Sequence, residues 1–212
     1  AGAVLSTPDN IFYATGFSSV MDGWHLVEPI AAVFVPADAA SPVVLILPEA
    51  SVISPIVSER GGHPVHFDRL ATFDMLNFCE TARAEDAHLA LPKDLLAELG
   101  GVMEQIDGQC EPDIIQSIAA CLSRHVSKEE RILFDDLRVA ARVEASTGQA
   151  SGDALDAMFA ARAVKTADEL DTLRESGQIA DAIMTYTMSQ LGVGKSWSEV
   201  EKQVAHFMID HD

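Results

Sequence analysis

Met21, Trp24 and His25 lie close together in the stretch SSVMDGWHLVEP, Ser18 to Pro29. An indole and an imidazole on a connection longer than a hairpin needs can close over a ligand and donate a hydrogen bond to it. Long connections inside compact domains are commonly functional. These three residues are the candidate substrate-binding group. The competing reading is that Trp24 packs back on a sheet as a hydrophobic plug.

Other patterns suggest chemistry and carry less. GGHPVHFD offers His63, His66 and Asp68, but in a strand His63 and His66 point to opposite faces, so only His66 and Asp68 share one, too few for a metal ion. His206 and Asp210 stand four apart, with His211 beside them, and no third ligand joins them on that face. Gly194-Lys195-Ser196 has the letters of a phosphate-loop tail. The loop would need Gly at 189, where Ser189 stands, and a strand before it. A helix stop followed by a capping box accounts for the same letters. Glu85-Asp86 and Asp135-Asp136 read as solvated acids at strand ends, and Asn10 and Tyr13 as a turn residue bonding nearby backbone and a core ring. No G-x-S-x-G elbow occurs, and none of Cys79, Cys110 and Cys121 lies in a nucleophile signature. No catalytic residue and no metal ligand is assigned.

The elements that must position these residues come in two styles. Up to about residue 150, short β-rich runs alternate with helical stretches: Gly2 to Leu5, Ile11 to Thr15, Ile30 to Val35, Val43 to Leu47, Pro64 to Phe67, His88 to Leu91 and Arg131 to Phe134 read as strands. The runs from Ile30 and Val43 are close enough to pair as a hairpin. Thr72 to Ala84, Lys93 to Ile106 and Asp113 to His125 have the length and spacing of crossover helices. The fold class is therefore α/β, a mixed sheet flanked by helices. Gly148-Gln149-Ala150-Ser151-Gly152 reads as a flexible boundary, dividing a domain at 1 to 152 from a segment at 153 to 212. Thr166 with Glu169 predicts a capping box opening one long helix to Leu191. Gly192 and Gly194 stop it, and Ser196 with Glu199 opens another. Two helices with one apolar face each leave apolar surface exposed and look like the opening of a further domain.

A net charge of −19, from 33 acidic and 14 basic side chains, disfavours nucleic acid and anionic lipid as partners. Apolar runs are far shorter than the roughly 20 residues that span a bilayer, so no membrane partner is expected. Three widely spaced cysteines without a C-x-x-C pair fit buried thiols in a reducing compartment, read as cytoplasm.

Two stretches resemble the creatinase, aminopeptidase P and prolidase family. TPDNIFYATGF is similar to its amino-terminal N-x-x-Y-x-T/S-G-F/Y pattern, supplied by Asn10, Tyr13, Thr15, Gly16 and Phe17. ARAVKTADELDTLRESGQIAD is similar to its junction with the pita-bread catalytic domain, through Arg162, Val164, Lys165, Thr166, Glu169, Leu170, Leu173 and Arg174. The resemblance implies a creatinase-like amino-terminal domain followed by the first helices of a catalytic domain, with the chain lacking its natural start and end. It also implies two divalent metal ions, Mn, Co or Zn, held outside these residues, a peptide or small amide substrate, and a homodimer in which this domain shapes access to the pocket, often that of the neighbouring subunit. The function implied is the gating and oligomerisation part of a metal-dependent Xaa-Pro peptidase, inactive by itself. The alternatives are a creatinase-like amidino hydrolase and a non-catalytic peptide-binding or scaffold module of the same fold.

Overall fold

In the computed structural model, which describes residues 1–19, 21, 28–75 and 92–210, the apolar runs of the first part assemble into one sheet. Its strands are β1 (Gly2–Leu5), β2 (Ala32–Pro36), β3 (Val44–Pro48), β4 (Arg69–Phe73), β5 (Ile132–Phe134) and β6 (Ser151–Asp153), in the order β4-β3-β2-β1-β5-β6. β1, β2 and β3 pair antiparallel, with Val4 opposite Phe34 and Phe34 opposite Val44. The expected hairpin of β2 and β3 is present. The outer pairs β3 with β4, β1 with β5 and β5 with β6 are parallel, as crossover connections require.

Alternation along these strands sends neighbouring side chains to opposite faces. Val4, Phe34, Ile46, Ile132 and Phe134 face α4 (Ile114–His125) and α5 (Leu137–Thr147), which contribute Ile118, Cys121, Leu122, Val139 and Val143. Leu5, Val33, Leu45, Leu47 and Leu70 face the other way, onto Ile11 of α1 (Pro8–Thr15), Phe17, Val52 and Val65. α2 (Ser54–Arg60) and α3 (Lys93–Met103) complete the connections in this part, α2 after a single 3-10 turn at Glu49–Ser51. Among the described residues the sheet has a core cluster on each face. The mixed sheet flanked by helices is the expected fold class.

Three expectations about elements are corrected. Ile11 to Thr15 is helix: Pro8 supplies a preset φ at the helix start, and Ile11 and Thr15, four apart, are both buried while Phe12 and Tyr13 are exposed. Pro64 to Phe67 is not a strand. The paired residues are the next ones, Arg69 to Phe73, because the Asp68 carboxylate accepts from Val43 N at 2.8 Å and sets the register with β3 there. Ser151 to Asp153, inside the stretch read as flexible, is the edge strand β6. It has no apolar alternation to announce it, and Arg131 Nε donates to Ser151 O at 2.9 Å while its guanidinium lies over Gly152, where a Cβ would stand 2.6 Å away. Residues 76–91, with the expected strand at His88 to Leu91, most of the stretch Thr72 to Ala84, Cys79 and the Glu85-Asp86 pair, lie outside the described residues; Thr72 and Phe73 end β4.

The described chain forms two compact units, Ala1–Phe159 and Ala160–Asp212, with α6 (Leu155–Ala163) running across the division. In the second, α7 (Ala167–Gln190) is one unbroken helix opened by the expected capping box: Glu169 N donates to Thr166 Oγ1 at 3.2 Å, and Thr166 N to Glu169 Oε2 at 2.7 Å. α8 (Trp197–Ile209) opens with the same device at Ser196 and Glu199. The two helices meet where Tyr186 and Phe207 stack, ring centres 4.2 Å apart. Val200 is the one buried residue of the two helices among those described. Leu173, Met184, Met188, Trp197 and Ile209 are each more than half exposed. No described helix is long and apolar enough to cross a membrane.

Candidate functional site

The residues of the N-x-x-Y-x-T-G-F pattern act at the two ends of α1. At the carboxyl end, Thr15 Oγ1 donates to Ile11 O at 2.8 Å and accepts from Phe17 N at 3.0 Å. Gly16 has φ +75 and its N–H donates to Phe12 O. A side chain there would need the left-handed region and would place Cβ 2.4 Å from Pro64 O. Phe17, 2% exposed, then plugs the core beside Ile11. Thr-Gly-Phe is thus a helix stop that aims the chain into the connection bearing Met21, Trp24 and His25.

At the amino end, α1 has no Glu or Gln at the capping-box position, and its N-cap Thr7 makes no side-chain cap hydrogen bond to the helix. The residues leading into the helix are held instead by Asp135, which follows β5. Its Oδ1 accepts from Ser6 N at 2.8 Å and Ser6 Oγ at 3.2 Å, and its Oδ2 from Thr7 N at 3.1 Å, Thr7 Oγ1 at 2.6 Å and Asn10 Nδ2 at 3.0 Å. Asn10 therefore bonds a carboxylate 125 residues away, in addition to any local role. Tyr13 is 40% exposed, not a core ring. Asp135 is not a solvated acid either, and with its oxygens so occupied it is committed to structure. Asp136 accepts from Arg138 N at 2.8 Å as the N-cap of α5; the Arg138 guanidinium holds its carboxyl below the usual range. The clasp leaves no signal in the sequence: the STPDN cluster has an acid of its own, Asp9, and Asp135 lies 128 residues beyond Thr7.

Of the candidate binding residues, Met21 is buried and its N–H donates to Ser19 Oγ at 3.2 Å. Trp24 and His25 lie outside the described residues. At the far end of the connection Glu28 pairs with Arg142 of α5, and Ile30 and Ala31 are buried.

The remaining patterns resolve into structure. His63 and His66 are exposed, and Asp68 is held by Val43 N. Ser196 of the Gly-Lys-Ser letters is the N-cap of α8, and Lys195 Nζ donates to Gln190 Oε1 at 3.2 Å. Asp210 follows the last turn of α8, its N–H on His206 O; His211 lies outside the described residues. Among the described residues no three His, Cys, Asp or Glu side chains come together to hold a metal ion. Cys121 is buried, and burial pushes its thiol up to about 12. Cys110 is exposed, contrary to expectation.

No protein-family model and no curated protein matches the sequence. Solved structures do match the fold. They include prolidase from Pyrococcus furiosus (14% identity, TM-score 0.57, 99% of this chain and 45% of that one), Xaa-Pro dipeptidase from Bacillus anthracis (15%, 0.58, 99% and 44%) and X-Pro aminopeptidase from Thermotoga maritima MSB8 (11%, 0.55, 99% and 47%). At these identities the likeness is one of fold. This chain spans less than half the length of the structures it matches.

Proposed function

We propose that this chain is the amino-terminal, substrate-gating and oligomerisation part of a metal-dependent hydrolase of the Xaa-Pro peptidase type. The observation that carries the reading is the fold: the mixed sheet and the α7–α8 pair together match, over 99% of the chain, proteins named as prolidase, Xaa-Pro dipeptidase and X-Pro aminopeptidase. The two stretches that resemble the family lie in the matching order, and each has a clear physical task, the α1 stop at Thr15 to Phe17 and the α7 capping box at Thr166 and Glu169. The exposed apolar sides of α7 and α8 suit helices that a further domain covers.

The metal ions this reading calls for do not fit the described residues, which bring no ligand set together. On this reading they are held by the catalytic part of the longer protein. What this chain contributes is access and placement. Met21, Trp24 and His25 are the proposed substrate contacts, on a connection launched by the α1 stop and tied at Glu28 to Arg142. A cytoplasmic homodimer acting on a peptide or small amide completes the proposal.

The test is a substrate panel on the longer protein that contains this chain, supplied with Mn²⁺ or Co²⁺: Leu-Pro, Leu-Leu and creatine. The proposal expects metal-dependent proline release from Leu-Pro alone, and none from the 212-residue chain by itself. Turnover of creatine instead would make it an amidino hydrolase. Peptide binding without turnover would make it a binding module. Either result overturns the Xaa-Pro assignment.

A further inference from the structure

We infer that the stability of this chain rises with ionic strength, because its long-range self-repulsion outweighs the ion pairs that salt weakens. The sequence carries 33 acidic and 14 basic side chains. The structure shows how seven of the 14 cations are engaged. Arg60 bridges Asp94 and Glu98, Arg124 pairs with Asp107, Arg138 with Asp136, Arg142 with Glu28 and Arg174 with Asp171. Arg131 and Lys165 donate to the backbone carbonyls of Ser151 and Arg162. Each is committed to groups in direct contact, and the excess negative charge is left facing solvent. Glu104, Glu175, Asp181 and Glu201 are exposed and make no ion pair among the described residues.

Salt then acts in two directions. It weakens the contact pairs, and it removes repulsion between carboxylates that are not in contact. The two have different ranges. The screening length falls from about 30 Å at 0.01 M to about 10 Å at 0.1 M and about 3 Å at 1 M. Distant repulsions are therefore lost first, while pairs such as Arg60 to Asp94 at 2.7 Å still attract. Exposed pairs contribute little to begin with. Unfolding lets like charges move apart, so their repulsion works against the folded state, and screening it stabilises the fold. The cations involved form a diffuse atmosphere and occupy no site, in keeping with the lack of converging ligands among the described residues.

The sheet unit, Ala1–Phe159, has a core of its own, so its melting, followed by far-UV circular dichroism, is the readout. With a chelator present, Tm should rise by about 8 °C or more between 0.01 M and 1 M NaCl, most of it by about 0.3 M. KCl should give the same curve. The double variant Glu59→Lys, Glu104→Lys, at two exposed acids of the sheet unit, should melt higher in 0.01 M salt and show a shallower slope. A flat or falling Tm overturns the inference. So does a rise that begins only above about 1 M and depends on the anion, which reports exclusion of salt from the surface, or one reproduced without the chelator by micromolar Ca²⁺, which reports a bound ion. A double variant with an unchanged slope also overturns it.

Discussion

Asp135 shows how much one carboxylate can organise. It receives the amino end of α1 through two backbone N–H groups, two hydroxyls and an amide, and it does so from a strand far away in sequence. Removing it takes away the acceptor of these five part-buried hydrogen bonds, and hydrogen bonds to charged groups are the stronger kind. Asp135→Ala should destabilise the sheet unit by about 3 kcal/mol in a urea titration. Asp135→Asn, which keeps one accepting oxygen, should cost less. Equal stability of Asp135→Ala and the parent would contradict the clasp. Gly16 is constrained in another way, by its positive φ and by Pro64 O at the place its Cβ would take. Gly16→Ala should cost about 2 kcal/mol or more on the same assay, and an unchanged midpoint would contradict that geometry. Neither effect was legible in the sequence, where Asp135 looks like a solvated acid and Gly16 like one small residue in a motif. Both depend on a partner distant along the chain.

Helix ends are where sequence and structure agree best, since a cap is decided within four residues. Thr166 with Glu169 and Ser196 with Glu199 form the boxes their spacing predicts. Thr166→Ala should therefore lower the stability of α7 by about 1 kcal/mol while Thr166→Ser costs little; equal thermal shifts for the two would refute the cap. The same caps give a pH dependence with a definite sign. Backbone and side-chain hydrogen bonds from Ser196 hold the Glu199 carboxyl below its usual range, and the Arg138 guanidinium does the same for Asp136. A folded-state value below the unfolded one means that the contribution is present at pH above the ordinary carboxylate range and is lost as pH falls through the depressed value. Helical circular dichroism should hold from neutral pH down to about pH 4 and fall below it; loss of helix on raising pH from 5 to 7 would contradict the assignment. Strands were less legible. β1, β2, β3 and β5 announced themselves by apolar runs, whereas β6 is a Ser-Gly-Asp run made a strand by pairing with β5. Ile11 to Thr15 is β-like in composition, and the Pro8 start and the four-residue spacing of its buried positions make it helix instead.

For the whole molecule, the mixed-sheet architecture was readable from the alternation of runs and crossovers. The order β4-β3-β2-β1-β5-β6 was not, because strand order is set by which faces find partners across long separations. The candidate site was legible only as a connection of unusual length with Trp24 and His25 on it. The structure explains how that connection is launched and tied down, by Thr15, Gly16 and Phe17 at one end and by Glu28 on Arg142 at the other. The gating role is the central claim, and kinetics and melting on one preparation test it. In the longer, metal-supplied protein, Trp24→Ala and His25→Ala should each raise KM for Leu-Pro about tenfold, with kcat, metal content and Tm close to the parent, as expected for groups that touch the ligand and not the chemistry. A Trp24→Ala protein whose stability drops by about 3 kcal/mol while KM stays unchanged would identify Trp24 as a core plug and contradict the account.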